Sequence, residues 1–484
     1  MASVDGLITG MNTTDTINQL MQVEAAPQTA LKAKISTTNQ VVSSYQSVNS
    51  RMSSLVSAAK AVGADAWGAM KATSSSSAAV VSASAGAAAG SLSFRVEQLA
   101  TTNVKTFAPA SAVASANDAA GSPAITGTTF TVKLNDGSTK TLTPADKSLQ
   151  SVVAAINGEA NVPYKAAAVQ IGPGKYTLQL TAKDSGAAGA TKVTTAGPPA
   201  GLTLGAATDT VVGKDASLKV GTENPYFITS STNTFTDVLP GVTVTAAQAQ
   251  AVTDPAVTID VSADADGIAA KVKALVDNAN VVLNEIASQS RIKTGQVAAG
   301  PLVGDNAMRQ LTQDILGTVS AGAAGLGSGG GAASFSEVGV TIGRDGRLSF
   351  DQTKFMNAYK ADPARTEKFF DSYTDKTGGT AGKFDPGFDT AVGLGRKLEA
   401  VSLMASEGVV DPNNPTKVKQ GTVQALIQRN TSTIKGLNDQ VAEWDVRLDL
   451  RKNALQKQFS GLEVALGKMK QQSSWLAGQL AGLA

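Results

Sequence analysis

IKGLNDQVAEWDVRLDLRKNALQKQFSGLEVALGKMKQQSSWLAGQLAGLA, residues 434–484, is the stretch from which the rest of the chain is best read. Ile434, Val441, Leu448, Leu455, Leu462, Met469, Leu476 and Leu483 recur every seven residues without a gap. Leu437 and Trp444 hold the companion d sites, which then become Arg451, Gln458, Ala465 and Gln472. Eight successive rungs predict one long helix with a coiled-coil seam. A helix of about 50 residues spans roughly 75 Å, more than a single globular core buries, so the seam calls for a partner helix. The tail sharpens the demand, because no charge follows Lys470 while Trp475, Leu476, Leu480 and Leu483 all need cover. Trp475 reads as a packing or interface residue rather than a carbohydrate-stacking one, because it sits in this helix.

The partner within the same chain is the N-terminal arm. Asn12 to Asp15 offers capping side chains ahead of Ile17, Leu20 and Met21. Pro27 interrupts that helix, since it cannot donate the interior bond. Leu31, Val41, Tyr45, Val48, Met52, Leu55 and Val62 then fit the a and d sites of one heptad frame, with Lys34 and Thr38 as polar members.

Between the arms the texture becomes Ala-, Ser-, Thr- and Gly-rich, with alternating strands over residues 78–262. Leu92, Phe94 and Val96 alternate in SLSFRVEQL. Phe130, Val132 and Leu134 do so ahead of Asn135-Asp136-Gly137-Ser138, a hairpin turn. A helix is expected over 148–157, the turn GPGK at 172–175 leads into YTLQLTA, and further strands are expected at 241–246 and 256–263. Helix returns from Ile268 to about Ser290 and again over 306–319. A glycine-rich segment, GAAGLGSGGGAAS, then reads as a flexible surface connection. A hairpin turns at Asp345-Gly346, with short helices near 352–359, 363–372 and 388–405. The expected fold class is α+β multidomain: N- and C-terminal helices paired as a coiled-coil leg, a mixed helical domain, and inserted β-rich head domains.

Composition narrows the chemistry. The 484 residues carry a net charge of +2 and only 17% charged residues, too balanced for an electrostatic nucleic-acid footprint. No run of 18 apolar residues is present, so no membrane span is expected. MASVDGLITGMNTTD has neither a basic n-region nor an apolar h-region, so no cleavable signal peptide is expected. Cysteine and histidine are both absent. That removes disulfides, thiolate nucleophiles, zinc–histidine sites and the Ser-His-Asp triad. Ser262-Ala-Asp264-Ala-Asp266-Gly267 only superficially opens like a calcium loop, because Lys273 stands where a bidentate Glu is needed. Asp345 reads as a turn residue and Asp351 as a helix cap rather than as a glycosidase pair. Gly325 to Gly331 lacks the strand and helix that a phosphate-binding loop requires. The expectation is a non-enzyme with no catalytic residue, cofactor or metal.

Several stretches resemble one family. They are SVDGLITGMNTTDTINQLMQVEAAP (3–27), DVLPGVTVTAAQA (237–249), VTIDVSADADGIAAKVKALVDNANVVLNEI (257–286) and GPLVGDNAMRQLTQDI (300–315). FSEVGVTIGRDGRLSFDQTKFMNAYKADPARTEKFF (335–370) and LRKNALQKQFSGLEVALGKMKQQSSWLAGQL (450–480) complete the set. TFTVKLNDGSTKTLTPADKSLQSVVAAIN (129–157) is similar to a hook-associated repeat element. Together they resemble the flagellar filament cap family, also called hook-associated protein 2. The resemblance implies an extracellular ring of subunits at the distal flagellar tip, exported through the flagellar type III apparatus, which promotes flagellin folding and insertion and limits monomer loss. Implied partners are further copies of the chain, flagellin, hook–filament junction proteins and an export chaperone. The alternatives are a tip adhesin binding host glycans or mucin through the β-rich head, and another axial junction protein. The expected division is 1–45 with 445–484 as the leg, 46–77 with 263–444 as a mostly helical domain, 78–108 with 208–262 as one head, and 109–207 as a second. The expected assembly residues are Ile17, Leu20, Leu31, Val41, Val48, Leu55, Ile434, Val441, Leu448, Leu455, Leu462, Met469, Trp475, Leu476 and Leu483.

Overall fold

The structure is a computed structural model that describes residues 12–376 and 382–481. Helix α1, Thr13–Glu24, starts at Asn12, whose side-chain oxygen accepts from the Asp15 amide at 3.1 Å. Pro27 has no N–H to give the Val23 carbonyl, and the helix breaks at Ala25 before α2, Ala26–Lys60, resumes with that proline in its first turn. A short α3, Ala64–Trp67, ends this arm. The chain then divides at Trp67/Gly68 and at Asp264/Ala265 into two compact units.

The inserted unit, Gly68–Asp264, holds two apolar cores, one nested inside the other in sequence. The outer core is built on a five-stranded antiparallel sheet. Its order is Met70–Ser74, Val257–Ala263, Gly90–Gln98, Ala216–Val220 and Tyr226–Ser230. A second sheet of Thr234–Leu239, Val242–Ala246 and Ala79–Ala83 adds to this core, where Phe94, Val96, Leu218 and Ile259 are buried. The inner core lies against a four-stranded antiparallel sheet of Tyr164–Gly172, Lys175–Ser185, Thr102–Phe107 and Ala207–Val211. Helix α4, Leu149–Gly158, is capped by Ser148 and buries Leu149, Val152, Val153 and Ile156. Asn157 ties it to the sheet by donating to the Ala166 carbonyl and accepting from the Ala166 amide, both at 2.8 Å. The Asn135–Ser138 turn forms as its sequence predicts: Gly137 takes φ +81° and Asp136 accepts from the Ser138 amide at 2.9 Å. Helix α5, Gly186–Ala196, was not legible in the sequence because Val193 is its one large apolar residue.

The other unit is mainly helical. Helix α6, Ala265–Ser290, buries Ile268, Val272, Leu275, Val282 and Ile286. Helix α7, Asn306–Ser320, is capped by Asp305, which accepts from the Met308 amide at 3.0 Å. The glycine-rich segment differs from its expected role as a free connection. Ala323 and Ala333 are buried and exchange two backbone hydrogen bonds, while Lys397 Nζ donates to the Gly322 carbonyl and Arg365 to the Leu326 carbonyl. Glycine content alone therefore misjudged a loop whose two ends belong to the core. A hairpin of Val340–Ile342 and Leu348–Phe350 precedes α8, Gln352–Ala361, and α9, Pro363–Phe370, each capped by an aspartate. Trp67, Phe355, Tyr359 and Phe370 cluster with centroids 5.8–6.4 Å apart. Helix α10, Leu394–Ala405, contributes Arg396, which holds Asp371 at 2.5 Å and Glu399 at 2.8 Å. Helix α11, Thr422–Ala481, is a single helix of 60 residues, about 90 Å long.

Candidate functional site

The leg consists of α1 and α2 lying along α11. Antiparallel alignment is fixed by polar contacts: Gln28 Nε2 donates to Asp445 Oδ1 at 2.5 Å, and Arg451 Nε meets Glu24 Oε1 at 3.2 Å. Trp444 is half-buried, and Arg447 lays its guanidinium over the indole ring, 5.1 Å from the centroid. The pairing is a cation–π contact that covers part of the Trp444 ring from outside the seam.

The upper end of the leg is rooted in the helical core. Val48, Met52 and Leu55 are fully buried together with residues of α6, α7 and α10, and Val423 and Ile427 of α11 join them. A polar ladder locks α2 to α6. Ser44 Oγ donates to Gln289 Oε1 at 2.8 Å, Ser47 Oγ to Glu285 Oε1 at 2.7 Å, and Gln289 Nε2 to the same Glu285 oxygen at 2.8 Å. These donors, Ser47 first, hold the Glu285 carboxyl below its ordinary range. Burial, and then the hydrogen bond from its hydroxyl to Asp305, raises the Tyr45 phenol.

The expected assembly residues separate along this axis. Val48 and Leu55 sit in the body core, together with residues of α6, α7 and α10 and with Val423 and Ile427 at the start of α11. Val41 and Ile434 are half-buried against that core. Leu31, Val441 and Leu448 are half-buried in the paired region, and Ile17 and Leu455 are buried. Leu20 faces outward, 43% exposed. Leu462, Met469, Trp475 and Leu476 are 46–66% exposed. Leu483 lies outside the described residues. Arg451 aligns with Glu24 at the far end of α1, and α11 continues roughly 28 Å beyond the level reached by the start of α1.

The structure also reveals which residues accompany the seven-residue rungs. Up to Trp444 the companions are d residues, Leu437 buried and Trp444 half-buried. Past Arg451 they are e residues: Phe459 and Leu466 are half-buried, while Gln458 is exposed, and the sequence carries the e position on to Leu480, which is exposed. The signal was present in the sequence as Phe459, Leu466 and Leu480, but the unbroken a series concealed it.

Other candidate chemistry has structural explanations. Asp351 accepts from the Lys354 amide as a helix cap, and Asp345 accepts from the Arg347 amide in its turn. Among the described residues no cluster of three or more acidic side chains could hold a metal, and no helix is long and apolar enough to cross a membrane.

Sequence profiles described as flagellar hook-associated protein 2 N-terminus and C-terminus match residues 9–103 and 213–471. Residues 104–212 fall between the two matches. The lateral flagellar hook-associated protein 2 of Vibrio parahaemolyticus is 25% identical over 262 residues, 54% of this chain and 51% of that relative. The match thus spans about half the length of that protein. The flagellar hook-associated protein 2 of Salmonella typhimurium is 24% identical over 358 residues, 71% of this chain and 68% of the relative. The crystal structure of the flagellar cap protein FliD D1-D2-D3 domains from Escherichia coli shares the fold. Its TM-score is 0.53 at 18% identity, over 75% of this chain and 96% of that one.

Proposed function

The chain belongs to the flagellar hook-associated protein 2 family, structural proteins of the flagellum rather than enzymes, and on that premise we propose that it builds an oligomeric cap at the distal tip of the filament. In this reading the cap promotes flagellin folding and insertion and limits loss of monomers, without covalent catalysis. Residues 1–45 with 445–484 act as the leg, 46–77 with 263–444 as the body, and 78–108 with 208–262 plus 109–207 as the heads that form the plate. Partners are further copies of the chain, flagellin, the hook–filament junction and an export chaperone. Met469, Trp475, Leu476 and the neighbouring distal rungs are the docking surface.

The observation that carries the reading is the contrast between a leg root fixed in the core and a distal helix with large apolar residues in the open. A charge-free stripe of that kind is suited to a modest interface that can be released and remade after each insertion. Truncation after Gln471 tests it. Body and heads should keep their unfolding transitions, while electron microscopy of labelled protein should lose tip decoration. Full cap activity of the truncated chain would remove the leg from the mechanism.

A further inference from the structure

Two discontinuities meet at one level of the leg. On α11 the companion of the seam passes from d (Leu437, Trp444) to e (Phe459, Leu466, Leu480), with charged Arg451 and Lys452 at the crossover. The spacing runs 3-4-3-4 to Leu448, adds an extra four to Lys452, and then continues as 3-4, the form of a stutter that locally unwinds a coiled coil. At about 100° per residue the apolar stripe turns by roughly 50° around the helix. On the opposite arm the α1–α2 break at Ala25 and Pro27 lies at this level, because Glu24 contacts Arg451 and Gln28 contacts Asp445. A helix tracking the stripe must change direction here, and the missing Val23–Pro27 hydrogen bond makes this the softest point of the arm.

Beyond the break α1 is lightly held. It has 12 residues, too few for a stable isolated helix, and only Ile17 is buried. Its Glu24 meets Arg451 of α11 in an exposed ion pair, while Leu20 and Val23 point away at 43% and 74% exposure. Leu455, four residues past Arg451, is buried at 7% exposure where α1 lies on α11. We infer that α1 is a strap hinged at Ala25–Pro27, closing over Leu455 and Phe459 and able to lift while α2 stays fixed. Lifting extends the open stripe of α11 from Leu462 back to Leu455. The inference concerns the leg itself and does not depend on what the stripe docks against.

The absence of cysteine makes the test direct. Spin labels are placed on the full-length chain at Thr37→Cys with Thr433→Cys, and in a second sample at Asn18→Cys with Gln458→Cys. The Asn18/Gln458 pair should give a broader distance distribution than the Thr37/Thr433 pair. Ile17→Asp should move it wholly to the longer component while leaving the Thr37/Thr433 distances unchanged. On the unlabelled chain, amides of α1 should exchange about tenfold or more faster than those of α2 residues 36–56. Equal widths for the two pairs, no response to Ile17→Asp, or loss of the Thr37/Thr433 distances in that variant would each overturn the strap. Tip decoration is measured separately, so failure of the strap and failure of the cap reading are distinguishable.

Discussion

The two halves of α11 share one helix and one seven-residue repeat, yet they occupy different environments. In the proximal half Val423 is 1% exposed, Ile427 9% and Leu437 5%, and that half belongs to the body or to the seam with α2. In the distal half Leu462, Val464, Met469, Trp475, Leu476 and Leu480 are all 46–66% exposed. Periodicity therefore specifies that a helix has an apolar face, and leaves open which molecule covers it. A distal half buried within this chain would serve stability. An exposed one is what the proposed docking surface requires.

The sharpest way to break that contrast is to truncate one side chain in each half of the leg. Leu55→Ala at the fully buried root should cost about 2–5 kcal/mol. Leu476→Ala should stay within about 0.5 kcal/mol of the parent in urea unfolding while reducing tip decoration. Comparable losses of stability would mean that the distal stripe is covered within a single chain.

Acid offers a second comparison. Ser47 and then Gln289 hold the Glu285 carboxyl below the ordinary glutamate range, so its contribution is complete above that range and fades as pH falls through the lower folded value. Urea midpoints measured from about pH 5 down to pH 3 should therefore fall less steeply in Ser47→Ala than in the parent. The same change at Ser473, on the exposed distal half, should leave the slope unaltered. The smallest effect belongs to Glu24→Gln. Its partner Arg451 and Glu24 itself are 52% and 42% exposed, so the cost should be about 1 kcal/mol or less and vanish at high salt.

Legibility followed how strongly local pattern and burial agree. Asn12 and Asp351 announced helix starts and do cap them. The strand Thr102–Phe107 was illegible because its inward face is Asn103, Lys105 and Phe107. The two polar residues are buried against Asp209, which Lys105 Nζ and Asn103 Nδ2 both approach at 2.9 Å. An inward lysine reads in sequence as an outward one, and only the partner strand supplies the carboxylate that makes its burial tolerable. The fate of Val48 and Leu55 was hidden for a related reason. They fit the heptad of the arm, but the α6 and α10 surfaces that cover them lie more than 200 residues away in the chain.

By itself, the sequence determined that a long heptad helix runs from Ile434 onward, that a proline-broken arm accompanies it, that β-rich heads lie between them, and that neither histidine nor cysteine is among its residues. Backbone hydrogen bonding and side-chain periodicity are local, so these features survive without knowledge of the fold. Tertiary structure alone decided where the seam leaves the core, and that the d-to-e turn of its companion at Arg451 meets the break at Pro27. Burial and register are relations between segments distant in sequence, and they acquire values only when those segments pack.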